Sequence, residues 1–190
     1  MTVLTLPERI VALEGALSGI PHAFGGALAL AYYAEPRATI DIDVNVFVSP
    51  DHYADVARPL VALGVDAETE EAVSAVARDG QTRVMWDQTP IDLFFAYDAF
   101  HAAAAVARRT VPFADTTIPI LAPEHLIVCK VVFDRPKDWV DIDAMVDADV
   151  ALDVAEVLRW VGRIAGDTDP RYERIAAVLT GRRPFSANAL

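Results

Sequence analysis

The side chains best suited to chemistry in this sequence are Asp41, Asp43 and Asn45, which occupy alternate positions in the run TIDIDVNVFV. The even positions from 40 to 48 are all isoleucine or valine, a pattern typical of a β-strand with one face in the core and one face presenting oxygen atoms. Two carboxylates at positions i and i+2 point the same way, with their roots about 7 Å apart. They can hold one Mg²⁺, or bracket a pair of ions about 3.5–4 Å apart, as in phosphoryl-transfer sites.

A solvated strand face or a calcium-binding loop would account less well for these acidic residues. A solvated face can carry them, but aspartate is disfavoured in strands, and two together repel each other unless a cation is present. The spacing also matches the first three ligands of an EF-hand loop. The sixth position of that loop should be glycine and is Val46, and the twelfth should be glutamate and is His52. We therefore predict a metal site at Asp41 and Asp43.

A glycine pair and a third aspartate complete the predicted site. Gly25 and Gly26 follow a predicted short strand and open a predicted helix, ALALAYYAE. A glycine turn there lets the backbone approach a polyphosphate, with amide donors and the helix dipole facing it. Asp92 lies inside a second predicted strand, PIDLFFAY, where an aspartate is otherwise costly. We predict that Asp92 binds metal and accepts a proton, whereas Asp87 and Asp98 lie at turns or caps.

Lys130 interrupts an apolar helical run, LIVCKVVF, so its ammonium group must reach a partner or extend to water. A salt bridge to Asp134, one helical turn later, and a contact to phosphate are both open at this point. Asp138 is predicted to be the N-cap of the next helix, with Asp141 in the first turn of that helix. Both aspartates are therefore assigned structural or positioning roles.

The elements that must position these residues change in type along the chain. Strands and helices alternate up to residue 122, including strands at 82–86 and 90–97 joined by the turn DQT. From Pro123 onward the periodicity is helical, over 123–134, 137–148, 151–165 and 170–180. We predict an α/β (α+β) fold: a mixed-sheet core with helices packed on it at 1–122, and a C-terminal helical region at 123–190 packed on that core.

Composition limits the possible partners. A net charge of -12 argues against stable DNA binding, and binding of tRNA would need a local basic surface. No run is long and apolar enough to span a membrane, and no export signal is visible. With one cysteine, Cys129, the chain has no intrachain disulfide, so we expect a cytoplasmic protein.

The run HAFGGALALAYYAEPRATIDIDVNVFV resembles the first motif of the DNA polymerase β-like nucleotidyltransferase superfamily, in which a Gly-Gly or Gly-Ser turn precedes a strand bearing Asp-x-Asp. More closely, Gly-Gly followed by RATIDID is similar to the AbiEii-type proteins, which include nucleotidyltransferase toxins of type IV toxin–antitoxin systems. A second match is to the helical Lys…Arg…Lys/Arg-Asp…Asp signature of that group. It is carried here by Lys130, Arg135, Lys137, Asp138 and Asp141.

This resemblance implies a Mg²⁺- or Mn²⁺-dependent nucleotidyltransferase that moves a nucleoside monophosphate from a nucleoside triphosphate to a hydroxyl of tRNA, a protein or a small molecule. It implies that the catalytic metal ligands are Asp41, Asp43 and Asp92. It implies that the nucleotide-binding residues are Gly25, Gly26, Arg37, Thr39 and Lys130. As a toxin, the protein would also have an antitoxin protein as its partner.

The sequence departs from the first motif at the glycine turn. Position 26 is glycine rather than serine and Ala27 follows it, so no hydroxyl is present there for phosphate. The gap of residues 27–40 before Asp41 also lies at the upper limit of the pattern. Two rival functions therefore stay open: a nucleotide-sensing or partner-binding module with little catalysis, and a two-metal phosphohydrolase that uses the same carboxylates.

Overall fold

The structure is a computed structural model in which residues 4–181 are described. It divides into two compact units. One unit takes the chain up to Ala29 together with Arg37–Ala122, and the other takes Leu30–Pro36 together with the chain from Pro123 onward. Residues 1–3 and 182–190, the ends of the two predicted regions, lie outside the described residues. The predicted domain boundary at residue 122 stays a prediction.

One mixed sheet of six strands forms the centre of the first unit, within the described residues. The strands are β1 (His22–Phe24), β2 (Ile42–Val46), β3 (Gln81–Trp86), β4 (Thr89–Phe95), β5 (Arg109–Phe113) and β6 (Thr116–Ile120). Their order across the sheet is β3-β4-β2-β1-β6-β5. Pairing is parallel between β2 and β4 and between β1 and β6, and antiparallel elsewhere. The mixed sheet confirms the predicted fold class.

The described helices before residue 123 are α1 (Leu6–Leu17), α2 (Gly26–Leu30), α3 (Tyr53–Ala62), α4 (Glu70–Asp79) and α5 (Ala99–Ala107). Side-chain caps define where two of them begin. Thr69 accepts a hydrogen bond from the amide of Ala72, and Asp98 accepts one from the amide of Phe100. Such caps satisfy amides that have no partner in the first helical turn. The predicted cap at Asp98 is thereby confirmed.

The core of the first unit is built by the inward face of the central strands. Val44 and Leu93 have no exposed surface, nor has Phe24 on β1. Burying each such side chain contributes about 1.5–3 kcal/mol relative to leaving it in water. The opposite face of β2 is thereby left to its polar residues, because successive side chains of a strand point to opposite sides.

The second unit contains the helices α6 (Pro123–Phe133), α7 (Pro136–Asp147), α8 (Val154–Ala165) and α9 (Pro170–Leu179). Three of them begin with proline, which suits the first helical position because its missing N–H has no intrahelical partner there. The other three helices all contact α6. Its residues Leu126, Ile127 and Val131 are almost fully buried, as expected of a helix that is apolar nearly all round. The predicted helical region is confirmed within the described residues.

Three local predictions were wrong. The strand predicted over 39–48 is limited to Ile42–Val46, and Ile40, predicted to be in the core, is 70% exposed. The helix predicted over ALALAYYAE ends at Leu30, where Tyr33 and Ala34 donate to its carbonyl in a tight turn. Asp138 is the third residue of α7 rather than its N-cap. Within residues 4–181, no helix is long and apolar enough to cross a membrane.

Candidate active site

Three aspartates come together on neighbouring segments of the first unit. In the parallel register of β2 and β4, Asp43 lies directly beside Asp92. Adjacent strands are about 4.8 Å apart, so the two carboxylates stand side by side on one face of the sheet. Asp41 lies two residues before Asp43, just ahead of β2. All three side chains are half-buried, so none of the predicted metal ligands lies in the core.

Arg83, which the sequence reasoning missed, lies against these carboxylates. The antiparallel register of β3 and β4 places Arg83 opposite Asp92. Its Nε donates to Asp92 Oδ1 and its Nη2 to Asp92 Oδ2, each at 2.7 Å, and Nη2 also lies 3.7 Å from Asp41 Oδ2. These hydrogen bonds to Asp92, together with the charges of Asp92, Asp41 and Asp43, raise the pKa of Arg83, with burial acting in the opposite direction. The guanidinium is therefore a fixed positive charge at the acidic cluster.

The glycine turn makes room for Asp43 and Asn45. Gly25 follows β1 and Gly26 is the first residue of α2, as predicted. The amide of Gly25 donates to the carbonyl of Asp43 at 2.9 Å. A Cβ atom on Gly25 would lie 2.8 Å from Asn45 Nδ2. A Cβ atom on Gly26 would lie 1.8 Å from Asp43 Oδ2, and the φ of Gly26 is +53°. Glycine is therefore required at position 26 by both the backbone and the neighbouring carboxylate.

The predicted role of this turn as a phosphate cradle stays a prediction. The helix that follows it has five residues, so few peptide dipoles add up at its N-terminus. Any phosphate bound there would meet backbone amides beside Asp43, whose negative charge opposes an anion unless a cation lies between them. The turn is therefore suited to a metal–phosphate complex rather than to a bare phosphate.

Thr39 and Arg37 precede the carboxylates. The hydroxyl of Thr39 accepts a hydrogen bond from the amide of Asp41 at 3.2 Å. This local bond orders the backbone before β2, as threonine does in many turns. Arg37 is exposed in the same connection. The predicted contacts of Arg37 and Thr39 to nucleotide stay predictions.

Lys130 lies in the second unit, in a buried ion pair with Asp141. Its Nζ lies 2.5 Å from Asp141 Oδ2, and the two side chains are 5% and 3% exposed. Of the two alternatives left open for Lys130, the structure shows a salt bridge, but to Asp141 rather than to Asp134. Asp134 has a φ of +54° just beyond α6, which ends the helix, and its Oδ1 accepts from Trp139 Nε1. The predicted nucleotide contact of Lys130 stays a prediction.

Asp138 and Asp141 have the structural surroundings that were expected, at shifted positions in α7. Asp138 is 1% exposed and accepts hydrogen bonds from the amide of Arg135 at 3.1 Å and from its Nε at 2.7 Å. This contact satisfies a backbone donor at the helix start. Asp141 belongs to the second turn of α7 rather than the first, which is the position from which it reaches Lys130.

The donor set of the acidic cluster fits a hard divalent cation. Mg²⁺ is usually held by one or two carboxylates and completes its shell with water and substrate phosphate. Within residues 4–181, no group of three or more His, Cys, Asp or Glu side chains is arranged to hold a metal ion, so Asp41, Asp43 and Asp92 do not form a three-carboxylate metal site as they stand. Both oxygens of Asp92 are engaged by Arg83, and Asp43 is the carboxylate that lies against the glycine turn.

The sequence matches the family described as nucleotidyl transferase AbiEii toxin, type IV toxin–antitoxin system, over residues 12–183. The chain belongs to this family. It is therefore a nucleotidyltransferase by class, and the resemblance seen in its motifs is confirmed. No curated protein matches this chain significantly.

Two solved structures of one antibiotic-resistance factor share the fold of this AbiEii-family chain. The solution structure of the antibiotic-resistance factor ANT(2'')-Ia is 16% identical, with 93% of this chain and 96% of that chain covered and a TM-score of 0.58. A crystal structure of ANT(2'')-Ia in complex with adenylyl-2''-tobramycin is 16% identical, with 94% and 99% covered and a TM-score of 0.53. At this identity the likeness shows the fold alone.

Proposed function

We propose that this chain transfers a nucleoside monophosphate from a nucleoside triphosphate to an acceptor hydroxyl, in a Mg²⁺- or Mn²⁺-dependent reaction, and that Asp41, Asp43 and Asp92 form its catalytic site. One observation carries the proposal. Asp43 and Asp92 stand side by side on neighbouring strands, with Asp41 two residues away, in a chain of the AbiEii nucleotidyltransferase family. Asp43 and Asp92 are like charges directly beside each other, which destabilises strand pairing unless a cation offsets them.

Each carboxylate has a distinct proposed task. Asp41 and Asp43 would hold the divalent cation, which when bound neutralises phosphate charge and orients the triphosphate. Asp92 would serve as a further metal ligand and would accept the proton of the acceptor hydroxyl at one of its Oδ atoms. The acceptor oxygen then forms a bond to the α-phosphorus, the bond from that phosphorus to the bridging oxygen breaks, and pyrophosphate leaves with the electron pair.

The nucleotide contacts are proposed at the predicted residues. The backbone of Gly25 and Gly26 approaches Asp43 closely and is open to phosphate through its amides. Arg37 is exposed and can reach an anion from the connection before β2. A phosphate contact by Lys130 would require its ammonium group to exchange Asp141 for a phosphate oxygen.

Transfer of label from the α-phosphate tests this proposal. The protein is incubated with Mg²⁺ and each nucleoside triphosphate labelled at the α-phosphate, together with bulk tRNA, the protein itself or small hydroxyl compounds as acceptors. We expect label in an acceptor and release of pyrophosphate. The Asp41→Asn/Asp43→Asn variant should lose at least about 100-fold of the rate, since transition-state charge would no longer be stabilised.

A charge-matched control is available in the same unit. Asp51 and Asp115 are exposed, and an Asp51→Asn/Asp115→Asn variant removes two charges away from the site, because Asp51 follows the opposite end of β2 from Asp41 and Asp115 lies between β5 and β6. It should transfer label at the wild-type rate. Equal transfer by the wild type and the Asp41→Asn/Asp43→Asn variant would refute the proposed site. Label that appears only in free nucleoside monophosphate would identify a phosphohydrolase, and tight nucleotide binding without any product would identify a binding module.

We also propose that the chain acts as a toxin held in check by an antitoxin protein, in the cytoplasm, where nucleoside triphosphates are available. Membership of the AbiEii toxin family supports this role. Expression of the wild type alone should arrest bacterial growth, while the Asp41→Asn/Asp43→Asn variant at equal abundance should not. Equal arrest by both would separate any toxicity from the acidic cluster.

A further inference from the structure

Arg83 occupies a position that a divalent cation would have to share. It stands on β3, at the edge of the sheet, and its side chain is 55% exposed while the residues on either side of it, Thr82 and Val84, are buried. It engages both oxygens of Asp92 and lies 3.7 Å from Asp41. A planar guanidinium fork matches a carboxylate in this two-bond geometry. The pair therefore neutralises part of the acidic cluster from the solvent side.

We propose that Arg83 competes with the divalent cation for Asp92 and Asp41, so that metal gains Asp92 as a ligand only when Arg83 turns away. This inference rests on the proposed function, because it assumes that the carboxylates bind metal. Arg83 is a positioning residue in this account rather than a catalytic one. It keeps Asp92 and Asp41 neutralised until metal and nucleotide arrive together.

Two features allow the exchange. The arginine side chain extends into solvent from an edge strand, so it can rotate away without opening the core. Exposed ion pairs contribute little to stability, so a doubly charged cation accompanied by a triphosphate can displace the guanidinium. An ordinary cross-strand pair between Arg83 and Asp92 would also stabilise the hairpin, so loss of Arg83 would then lower stability, whereas competition predicts tighter metal binding.

Mn²⁺ binding in the absence of nucleotide distinguishes these two roles. The fraction of free Mn²⁺ is measured by electron paramagnetic resonance for the wild type, Arg83→Gln, Arg83→Lys and Arg78→Gln. Arg78 is the matched control, because it is an exposed arginine paired with Asp79 in the same unit, so its loss changes the net charge equally. We expect Arg83→Gln to bind Mn²⁺ about ten-fold more tightly than the wild type, Arg83→Lys to lie between them, and Arg78→Gln to match the wild type.

Two further variants separate the failure of this inference from the failure of the proposed function. In the Arg83→Gln background, Asp41→Asn/Asp43→Asn should abolish the added Mn²⁺ affinity. If the aspartate variant weakens binding but Arg83→Gln binds no more tightly than the wild type, competition by Arg83 is wrong while the metal site stands. If the aspartate variant leaves Mn²⁺ binding unchanged, the proposed metal site itself is wrong, and the role of Arg83 is lost with it.

Discussion

The buried pair of Lys130 and Asp141 gives the clearest prediction about the helical unit. The two side chains are 5% and 3% exposed and their charged atoms lie 2.5 Å apart. Removing one partner of such a pair leaves a buried charge without compensation, which costs about 3–5 kcal/mol. For a chain of this size, each kcal/mol lowers Tm by about 2–4 °C, so we expect Lys130→Met and Asp141→Asn each to lower it by roughly 6–20 °C.

The double variant Lys130→Met/Asp141→Leu tests whether the pair is the cause. Replacing both charges by apolar groups removes the uncompensated charge, so most of the lost stability should return. Thermal unfolding followed by tryptophan fluorescence is suitable, because Trp139 and Trp160 both belong to this unit. Lys137→Met, which changes an exposed lysine of α7, is the control and should stay within about 0.5 kcal/mol of the wild type. Single variants with no effect, or a double variant whose loss is the sum of the two, would refute the reasoning.

Two other substitutions have clear expected outcomes. Gly26→Ala should destabilise the protein by about 1–3 kcal/mol through its positive φ alone, and by displacing Asp43 it should also weaken Mn²⁺ binding. The control is Gly15→Ala inside α1, where a Cβ atom would meet nothing within 4 Å, and it should be neutral or stabilising. Mn²⁺ binding by Gly26→Ala as tight as that of the wild type would contradict the geometry of the turn. His125 is 1% exposed, and burial lowers its pKa below the ordinary 6.5, against the charges of Glu156 and Glu124. Because His125 takes up a proton more readily in the unfolded chain, the free energy of unfolding should fall as pH drops below about 6.5. The measurement is the difference between the urea unfolding midpoints at pH 7.5 and pH 5.5, which should be smaller for His125→Gln than for the wild type. Equal pH dependence in both proteins would exclude His125 as its source.

The aspartates of the site could be predicted from the local periodicity of the sequence. Apolar residues alternate with aspartates around position 42, and this pattern alone indicates which face of β2 is buried. Asp92 was found in the same way, since an aspartate inside an apolar strand is costly without a partner. Both strands are present, β2 in a shorter form than predicted, and Asp43 pairs with Asp92. Pairing between β2 and β4, however, joins elements that are distant along the chain, and no local pattern specifies it.

Arg83 was missed because the register of a hairpin depends on the length of its turn. The turn was predicted to contain the residues DQT, whereas pairing begins at Trp86 and Thr89. A shift of one residue in a strand reverses the face of every side chain. With the two-residue turn, Arg83 lies opposite Asp92, and the alternation of QTRVMW then identifies it as a candidate partner.

The first residue of β2 and the partner of Lys130 could not be predicted because both depend on tertiary structure. On β4, the residue before Ile91, the partner of Ile42, is Pro90, which has no N–H to donate. The strand pairing therefore stops at Ile42, and Ile40 lies in a loop although its sequence pattern is that of a strand. The pairing of Lys130 with Asp141 rather than Asp134 depends on how α6 packs against α7. Helical spacing describes one helix and gives no information about the facing helix.

The central claim is that Asp41 and Asp43 hold a divalent cation beside the glycine turn. The most direct measurement is the anomalous scattering of manganese in crystals grown with Mn²⁺ and a nucleoside triphosphate analogue that cannot be cleaved after its α-phosphate. We expect a manganese peak about 2.1 Å from an oxygen of each aspartate, with the triphosphate next to Gly25 and Gly26. An ordered nucleotide whose manganese lies away from both aspartates would contradict it.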